Sequence, residues 1–487
     1  MGLGAPIGPR ERPSLRGTRG FRHNPQMSSP SPASLPPCRL WLPAPAGPQV
    51  SALSVVTDAR GRIARLQPSV EDSSLPWAVP GVANLHSHAF QRAMAGLAER
   101  RLNPQDSFWT WRETMYQLAA RFDPDSLRDV AAQLYAEMLE AGYTRVCEFH
   151  YLHHAPDGRP YADPAAMSRA LIEAARETGI GLTLLPVLYM TGGFDGRALS
   201  ERQRRFGHSI DAYMRLLDTL RAEENERLRI GCALHSLRAV PPDAMREVLA
   251  ALPGDSRIHI HIAEQTGEVE ECVALRGARP VEWLYANAEV DARWTLVHAT
   301  HLSAEETRAI AHSGATVAIC TTTEANLGDG LFPLLDFMSG GGRFGVGSDS
   351  HASVSLVEEL RWLEYGQRLL HRHRTLAVDA GTRSVGESLL AAALRAGADS
   401  AGQGSAVPGG VFATGADADL VTLQGSHPAL HAATAADVID RWLFASNRPA
   451  IDGVWVGGLQ RVSAGRHLQG EAIEARFAAT LKTLLLS

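Results

Sequence analysis

Cysteine is scarce in this sequence and unpaired. Five are spread over 487 residues, at Cys38, Cys147, Cys232, Cys272 and Cys320, and no two are spaced as a Cys-x-x-Cys pair. An odd, sparse set excludes a disulfide framework and points to a reducing compartment, so a cytoplasmic location is expected. Long apolar runs are also missing. None approaches the roughly 20 residues that a membrane-spanning helix needs, and the basic N-terminus lacks the apolar stretch of a secretory signal. The formal net charge is -6, with no basic stripe of the kind that marks a nucleic-acid binder. What is present is an ordinary globular balance, 45% hydrophobic and 21% charged. The length suits one large domain plus a smaller one.

Residues 1–37 combine Pro, Arg, Ser and Gly with little to bury, and this N-terminal extension is expected to be disordered. Residues 38–79 carry short apolar runs at Leu40–Leu42, Ser54–Val56 and Ile63–Leu66, with Asp58 to Gly61 reading as a hairpin turn. The same texture returns over 406–487, at Asp419–Leu423, Gly453–Val456 and Leu459–Val462, ahead of a terminal helix. Two β-rich ends around a long middle predict one small β-sandwich domain built from both ends of the chain.

Residues 80–405 have a different rhythm. Short apolar strands are expected at Val79–Leu85, Arg145–Phe149, Gly181–Leu188, Ile230–Leu234, Ile258–Ile262, Trp294–Val297, Ala315–Ile319 and Phe344–Gly347. Apolar residues at helical spacing fall between them, at Ser126–Ala141, Ala165–Thr178, Ser209–Glu226, Pro241–Ala251 and Ala304–Ser313. Eight strands alternating with helices predict an α/β fold, a (β/α)8 TIM-type barrel.

In such a barrel the reactive groups sit at the C-terminal ends of the strands. Five of the expected strands end in capable residues: His86-Ser87-His88, His235, His259-Ile260-His261 with Glu264 beyond, His298, and Asp349. His86 and His88 are two apart on a strand, so both imidazoles face the same way and can share one ion. His259 has the parity of His261. One of the two is structural, and His261, nearer the strand end, is assigned as the ligand. Asp349 follows Gly345-Val346-Gly347-Ser348; its alternative is a helix N-cap for the segment from Ser353. His298 could equally be a core histidine. His351 has no assigned role, and His371 to Arg374 read as a solvated helix end. Three imidazoles and a carboxylate, from His86, His88, His261 and Asp349, suit one divalent ion, zinc with iron(II) as the alternative.

The segment Pro80-Gly81-Val82-Ala83-Asn84-Leu85-His86-Ser87-His88, with His261, His298 and Ser348-Asp349, resembles the amidohydrolase superfamily in its one-metal deaminase branch. The fourth strand has no lysine to form a bridging carbamate, which fits one ion. More specific segments run from His86 to Arg92, Phe108 to Tyr116, Glu148 to His154, Leu234 to Arg238 and Thr322 to Gly330. Over roughly Leu40 to His467 they resemble the deiminases that act on N-formimino-L-glutamate in histidine degradation. Residues 1–37 have no counterpart there, and Thr321 departs from a usual proline.

The resemblance implies hydrolysis to N-formyl-L-glutamate and ammonia, by attack of metal-activated water on the formimino carbon. It also implies a substrate-binding set of Gln91, Arg112, Tyr151, His235 and Arg238. Arginine suits carboxylate recognition, and Arg238 lies just past the fourth strand. Asp349 is expected to take a proton from the water, His298 to stabilise developing charge, and Glu264 to deliver a proton to the leaving nitrogen. The expected partner is a small dicarboxylate, with no nucleic acid or membrane, and the expected assembly is a homodimer. Rival readings are a guanine, cytosine or adenosine-type deaminase, an imidazolonepropionate-type ring opening, and a non-catalytic barrel scaffold. The paired arginines favour an acidic substrate.

Overall fold

A computed structural model describes residues 34–43, 49–70, 72–97, 99, 108–402 and 412–486. Most of the expected N-terminal extension, and the expected boundary at 405/406, lie outside the described residues.

The eight barrel strands are Val82–Ser87, Tyr143–His150, Gly181–Leu188, Cys232–Ser236, Ile258–Ile262, Trp294–His298, Thr316–Ile319 and Arg343–Val346, each hydrogen-bonded in parallel to the next. Every residue of Gly181–Leu188 is buried, as expected for parallel strands covered by helices. Closure between the last strand and the first falls just beyond the regular pairing. Ser87 and Asp349 form a parallel bridge. The Asp349 N–H donates to His86 O at 3.0 Å, and the His88 N–H donates to Asp349 O at 3.2 Å.

Helix ends follow local chemistry. Asp123 and Ser126 form a capping box ahead of Pro124–Glu140, which starts that helix two residues before the apolar pattern does. Ser303 and Glu306 cap Ala304–Ser313 in the same way. The helix expected over Ser209–Glu226 stops at Arg221. There the Asn225 side chain accepts from the N–H groups of Arg227 (2.9 Å) and Leu228 (3.2 Å) and turns the chain into the next strand.

Two expected strands are corrected. Val79–Leu85 is two strands in two sheets, Trp77–Pro80 in the small domain and Val82–Ser87 in the barrel. Gly81 stands between them, and a Cβ there would lie 2.3 Å from the Thr144 side chain. The fourth strand is likewise split into Leu228–Ile230 and Cys232–Ser236 at Gly231.

The small domain, expected as a sandwich, is one continuous sheet drawn from both chain ends. Its order is Arg466–His467, Leu459–Ser463, Ile451–Val456, Leu420–Leu423, Trp77–Pro80, Cys38–Leu42, Gln49–Thr57, Ile63–Pro68. Only the pairing of Cys38–Leu42 with Trp77–Pro80 is parallel. It has its own apolar cluster, including Leu40, Val55, Ile63, Phe412, Leu420 and Trp455. Leu35 joins that cluster, and its N–H donates to Val55 O at 2.8 Å. Leu35, placed by its surrounding composition in the extension, therefore belongs to this domain's packing, and Ser34 bridges to Val56. Buried Arg145, on the second barrel strand, meets Asp417 of the small domain at 3.6 Å. Among the described residues no helix is long and apolar enough to cross a membrane.

Gly81→Ala is expected to destabilise the protein by about 1–3 kcal/mol through overpacking against Thr144. Thermal or denaturant unfolding would measure this. An unchanged midpoint would show that Thr144 can turn aside and that the junction tolerates a side chain.

Candidate metal centre and active site

The exits of three strands, Val82–Ser87, Ile258–Ile262 and Arg343–Val346, bring four potential ligand atoms to one point. His86 Nε2 lies 3.1 Å from His88 Nε2 and 3.0 Å from His261 Nε2. Asp349 Oδ1 is 3.3 Å from the Nε2 atoms of both His86 and His88. All four residues are buried. Zinc with bonds of about 2.0–2.1 Å in a tetrahedron sets ligand atoms about 3.3–3.4 Å apart, so the spacing matches.

The tautomers also fit an ion. His88 Nδ1 faces Phe149 O and His261 Nδ1 faces His235 O, each at 2.9 Å. A carbonyl only accepts, so each Nδ1 carries the proton and each Nε2 keeps its lone pair. Burial lowers the pKa of all three histidines, and for His86 and His261 neighbouring imidazoles push the same way. Neutral imidazole is the ligating form. Lone pairs and a carboxylate converging on one point repel one another, and a cation between them reverses that.

Sequence parity leaves His259 and His261 as alternatives, and the structure separates them. His259 is fully buried with Nε2 3.4 Å from Ser400 O, away from the cluster. Asp349 is not a helix cap; Ser355 caps Leu356–His371. Its backbone is left-handed (φ 43°), as are those of Ala263 (51°), His298 (67°), Ala299 (50°) and His351 (59°). Conformations that most side chains avoid thus gather at the barrel mouth, where they aim functional groups.

His298 is ringed by carboxylates. Its Nδ1 is 3.4 Å from Glu324 Oε1, and its Nε2 is 3.7 Å from Glu264 Oε1 and 3.9 Å from Asp349 Oδ2. Burial alone would lower its pKa, but Glu264, Glu324 and Asp349 outweigh burial and raise it to about 10. Burial raises the Glu264 carboxyl to about 8. Together the pair retains a proton at neutral pH. Glu264 is held from behind by Glu268, which accepts from the N–H groups of Ala263 (3.2 Å) and Glu264 (3.0 Å).

The five residues implied for substrate binding gather beside the cluster. Gln91 Nε2 donates to Tyr151 Oη at 2.9 Å, while Gln91 Oε1 is buried without a partner. The Tyr151 ring is 5.0 Å from His88 and 5.9 Å from His235, and His235 is 5.2 Å from His261. Arg238 donates to Tyr189 Oη at 3.3 Å. The Arg112 guanidinium lies 5.2 Å over the Tyr116 ring.

Some neighbours do not stand out in the sequence. His351, without a role there, belongs to a buried network beneath the ligands. Its Nδ1 meets Ser348 Oγ at 3.0 Å and its Nε2 meets Ser87 Oγ at 3.2 Å. Ser87 donates to Glu148 at 2.5 Å, and Glu148 accepts from the Ala89 N–H at 2.6 Å. Asn84 Nδ2 donates to Ser348 Oγ at 2.6 Å. Tyr189 is the first residue after Gly181–Leu188, so the strand-end rule that selects His298 would have found it too. Tyr116 and Glu324 lie inside segments that carry the resemblance. Thr321, the departure, donates to Glu359 O at 2.9 Å, and Glu359 is not one of the four ligands.

A sequence profile described as the amidohydrolase family matches residues 77–460. The formimidoylglutamate deiminase of Pseudomonas aeruginosa is 52% identical over 408 residues, covering 84% of this chain and 89% of that protein. The 8-oxoguanine deaminase of the same species is 28% identical over 437 residues, covering 85% of this chain and 89% of that protein. Among solved structures, an amidohydrolase from Brucella melitensis superposes with a TM-score of 0.85 at 43% identity, over 92% of this chain and 99% of that one.

Removing a ligand and loosening its support have separable signatures. His86→Ala and Asp349→Ala are expected to purify with far less than one metal per chain. Ser87→Ala keeps all four ligands but loses the link between Glu148 and His351; it should weaken metal affinity about 10–100-fold. Elemental analysis and chelator competition measure both. Full occupancy in Asp349→Ala would remove that residue from the ligand set.

Proposed function

The chain belongs to the amidohydrolase family, and from that membership we propose that it hydrolyses N-formimino-L-glutamate to N-formyl-L-glutamate and ammonia, as a step of histidine degradation. The observation that carries this reading is the joining of a four-ligand cluster for one ion to a wall bearing two arginines, Arg112 and Arg238. The relative that is 52% identical over most of its length supports the same substrate.

Zinc is the ion we propose, with iron(II) as the alternative, because three imidazoles and one carboxylate suit either better than magnesium or calcium. When bound, such an ion supplies Lewis acidity and lowers the pKa of water toward neutrality. The remaining work falls to the chain's own groups. Arg238 and Arg112 take the substrate's carboxylates through charge-assisted hydrogen bonds. Gln91 and Tyr151 lie beside His88, where the unpartnered Gln91 Oε1 can accept from a substrate N–H. Asp349 Oδ2, on the His298 side of its carboxylate, receives the proton of the attacking water. His298, held protonated by the surrounding carboxylates, donates to the oxygen that adds to the formimino carbon. Glu264 relays to the departing nitrogen the protons that Asp349 takes from the water, so that both water protons end on that nitrogen. One water is consumed, the C–N bond to the terminal nitrogen breaks, and ammonia leaves.

A purine deaminase is the rival that the 28% relative brings forward. A neutral base offers no carboxylate for Arg112 and Arg238 to grip, so the two arginines favour an acidic substrate over it.

Ammonia release from N-formimino-L-glutamate, guanine, cytosine and adenosine decides between the two. Preferred turnover of a free base would overturn the acidic-substrate reading. Glu264→Gln should retain its metal and lose about 10²–10⁴-fold in kcat; near-normal turnover would remove it from proton transfer. Arg238→Met should keep its metal too, but lose roughly 10–200-fold in kcat/KM, since a hydrogen bond to a charged group contributes about 1.5–3 kcal/mol.

A further inference from the structure

Tyr189 is buried, 2% exposed, at the exit of the third strand, and its phenol oxygen is where the cationic wall is tied together. It accepts from Arg238 Nη1 at 3.3 Å and from Gln203 Nε2 at 2.9 Å. Gln203 is itself fixed, its Oε1 accepting the Ser200 N–H at 3.0 Å, and its Nε2 also reaches Tyr116 Oη at 3.4 Å. Tyr116 in turn underlies Arg112. The Tyr189 ring stands edge-on to His235, with centroids 4.4 Å apart. The backbone repeats the tie. Met190 N–H donates to Ala239 O at 2.8 Å, and Thr191 Oγ1 donates to Arg238 O at 3.0 Å.

A phenol oxygen has two lone pairs and one proton. Arg238 and Gln203 occupy both lone pairs, and no acceptor for the proton lies within hydrogen-bond distance among the described residues. A carboxylate gripped by Arg238 would be such an acceptor. We propose that Tyr189 determines specificity for the dicarboxylate: its oxygen fixes the Arg238 guanidinium, and its proton is donated to the carboxylate that Arg238 binds. This rests on the acidic-substrate reading above. Burial alone would raise the phenol's pKa, but the charges of Arg238 and Arg112 more than offset it and lower it, which strengthens the phenol as a donor.

Tyr189→Phe keeps the ring and removes the oxygen. With N-formimino-L-glutamate its KM should rise roughly tenfold or more, with kcat nearly unchanged and metal content intact. Gln203→Leu, which frees the phenol without touching it, should raise KM in the same direction by a smaller factor. In an Arg238→Met background, Tyr189→Phe should add less than about twofold, because the two residues act as one unit. An unchanged KM in Tyr189→Phe, or fully additive effects in the double variant, would overturn the proposal while leaving the substrate reading standing. A wild-type enzyme that does not turn over N-formimino-L-glutamate would overturn both.

Discussion

Two backbone hydrogen bonds, from Asp349 N–H to His86 O and from His88 N–H to Asp349 O, close the barrel. They are made by three of the four residues that could hold a metal ion. Closure and ligand placement are thus one event, because the seam cannot form in another register without moving Asp349 Oδ1 away from the imidazoles. Gly347 allows the approach, since a Cβ there would lie 2.7 Å from the His86 Cβ. Asn84 ties the two strands from below, donating to Ser348 Oγ and accepting the Ser348 N–H at 3.1 Å. The left-handed residues at the mouth cost on the order of 1–3 kcal/mol each. The seam and a bound cation are what can offset that cost.

Charge is arranged in layers around this seam. The ligand imidazoles are kept neutral by burial and ready for a cation. One step away, His298 is held positive by three carboxylates. Farther out, Arg238 donates to the Tyr189 phenol and Arg112 lies over the Tyr116 ring, with the Glu268 carboxylate also bearing on Arg238. Neutral tyrosine oxygens orient guanidinium groups without cancelling their charge.

The reading of strands by short apolar runs works where burial on both faces leaves a continuous signal, as at Gly181–Leu188 and Ile258–Ile262. It fails at Gly81, where one apolar run serves two sheets. The Pro80-Gly81 step between Val79 and Val82 is a local break within that run, and Thr144, far along the chain, fills the space where a Gly81 Cβ would go. Composition likewise places residues 34–37 in the extension, whereas Leu35 is held by Val55 and the cluster around it. A single apolar residue among prolines carries no periodicity to read.

By itself the sequence determined the fold class and the ligand candidates. Eight strand–helix alternations have few closed solutions, and side chains two apart on a strand must share a face, so spacing alone makes His86 and His88 a pair. It could not choose between His259 and His261, which have the same parity. That was decided by depth: the His261 ring reaches the cluster, with its Nδ1 on His235 O, while His259 sits lower against Ser400 O. Nor could it assign Ser87, Glu148, His351 or Gln203. Each acts through a partner that lies on another strand or loop, and only the packing of the closed barrel brings those partners together.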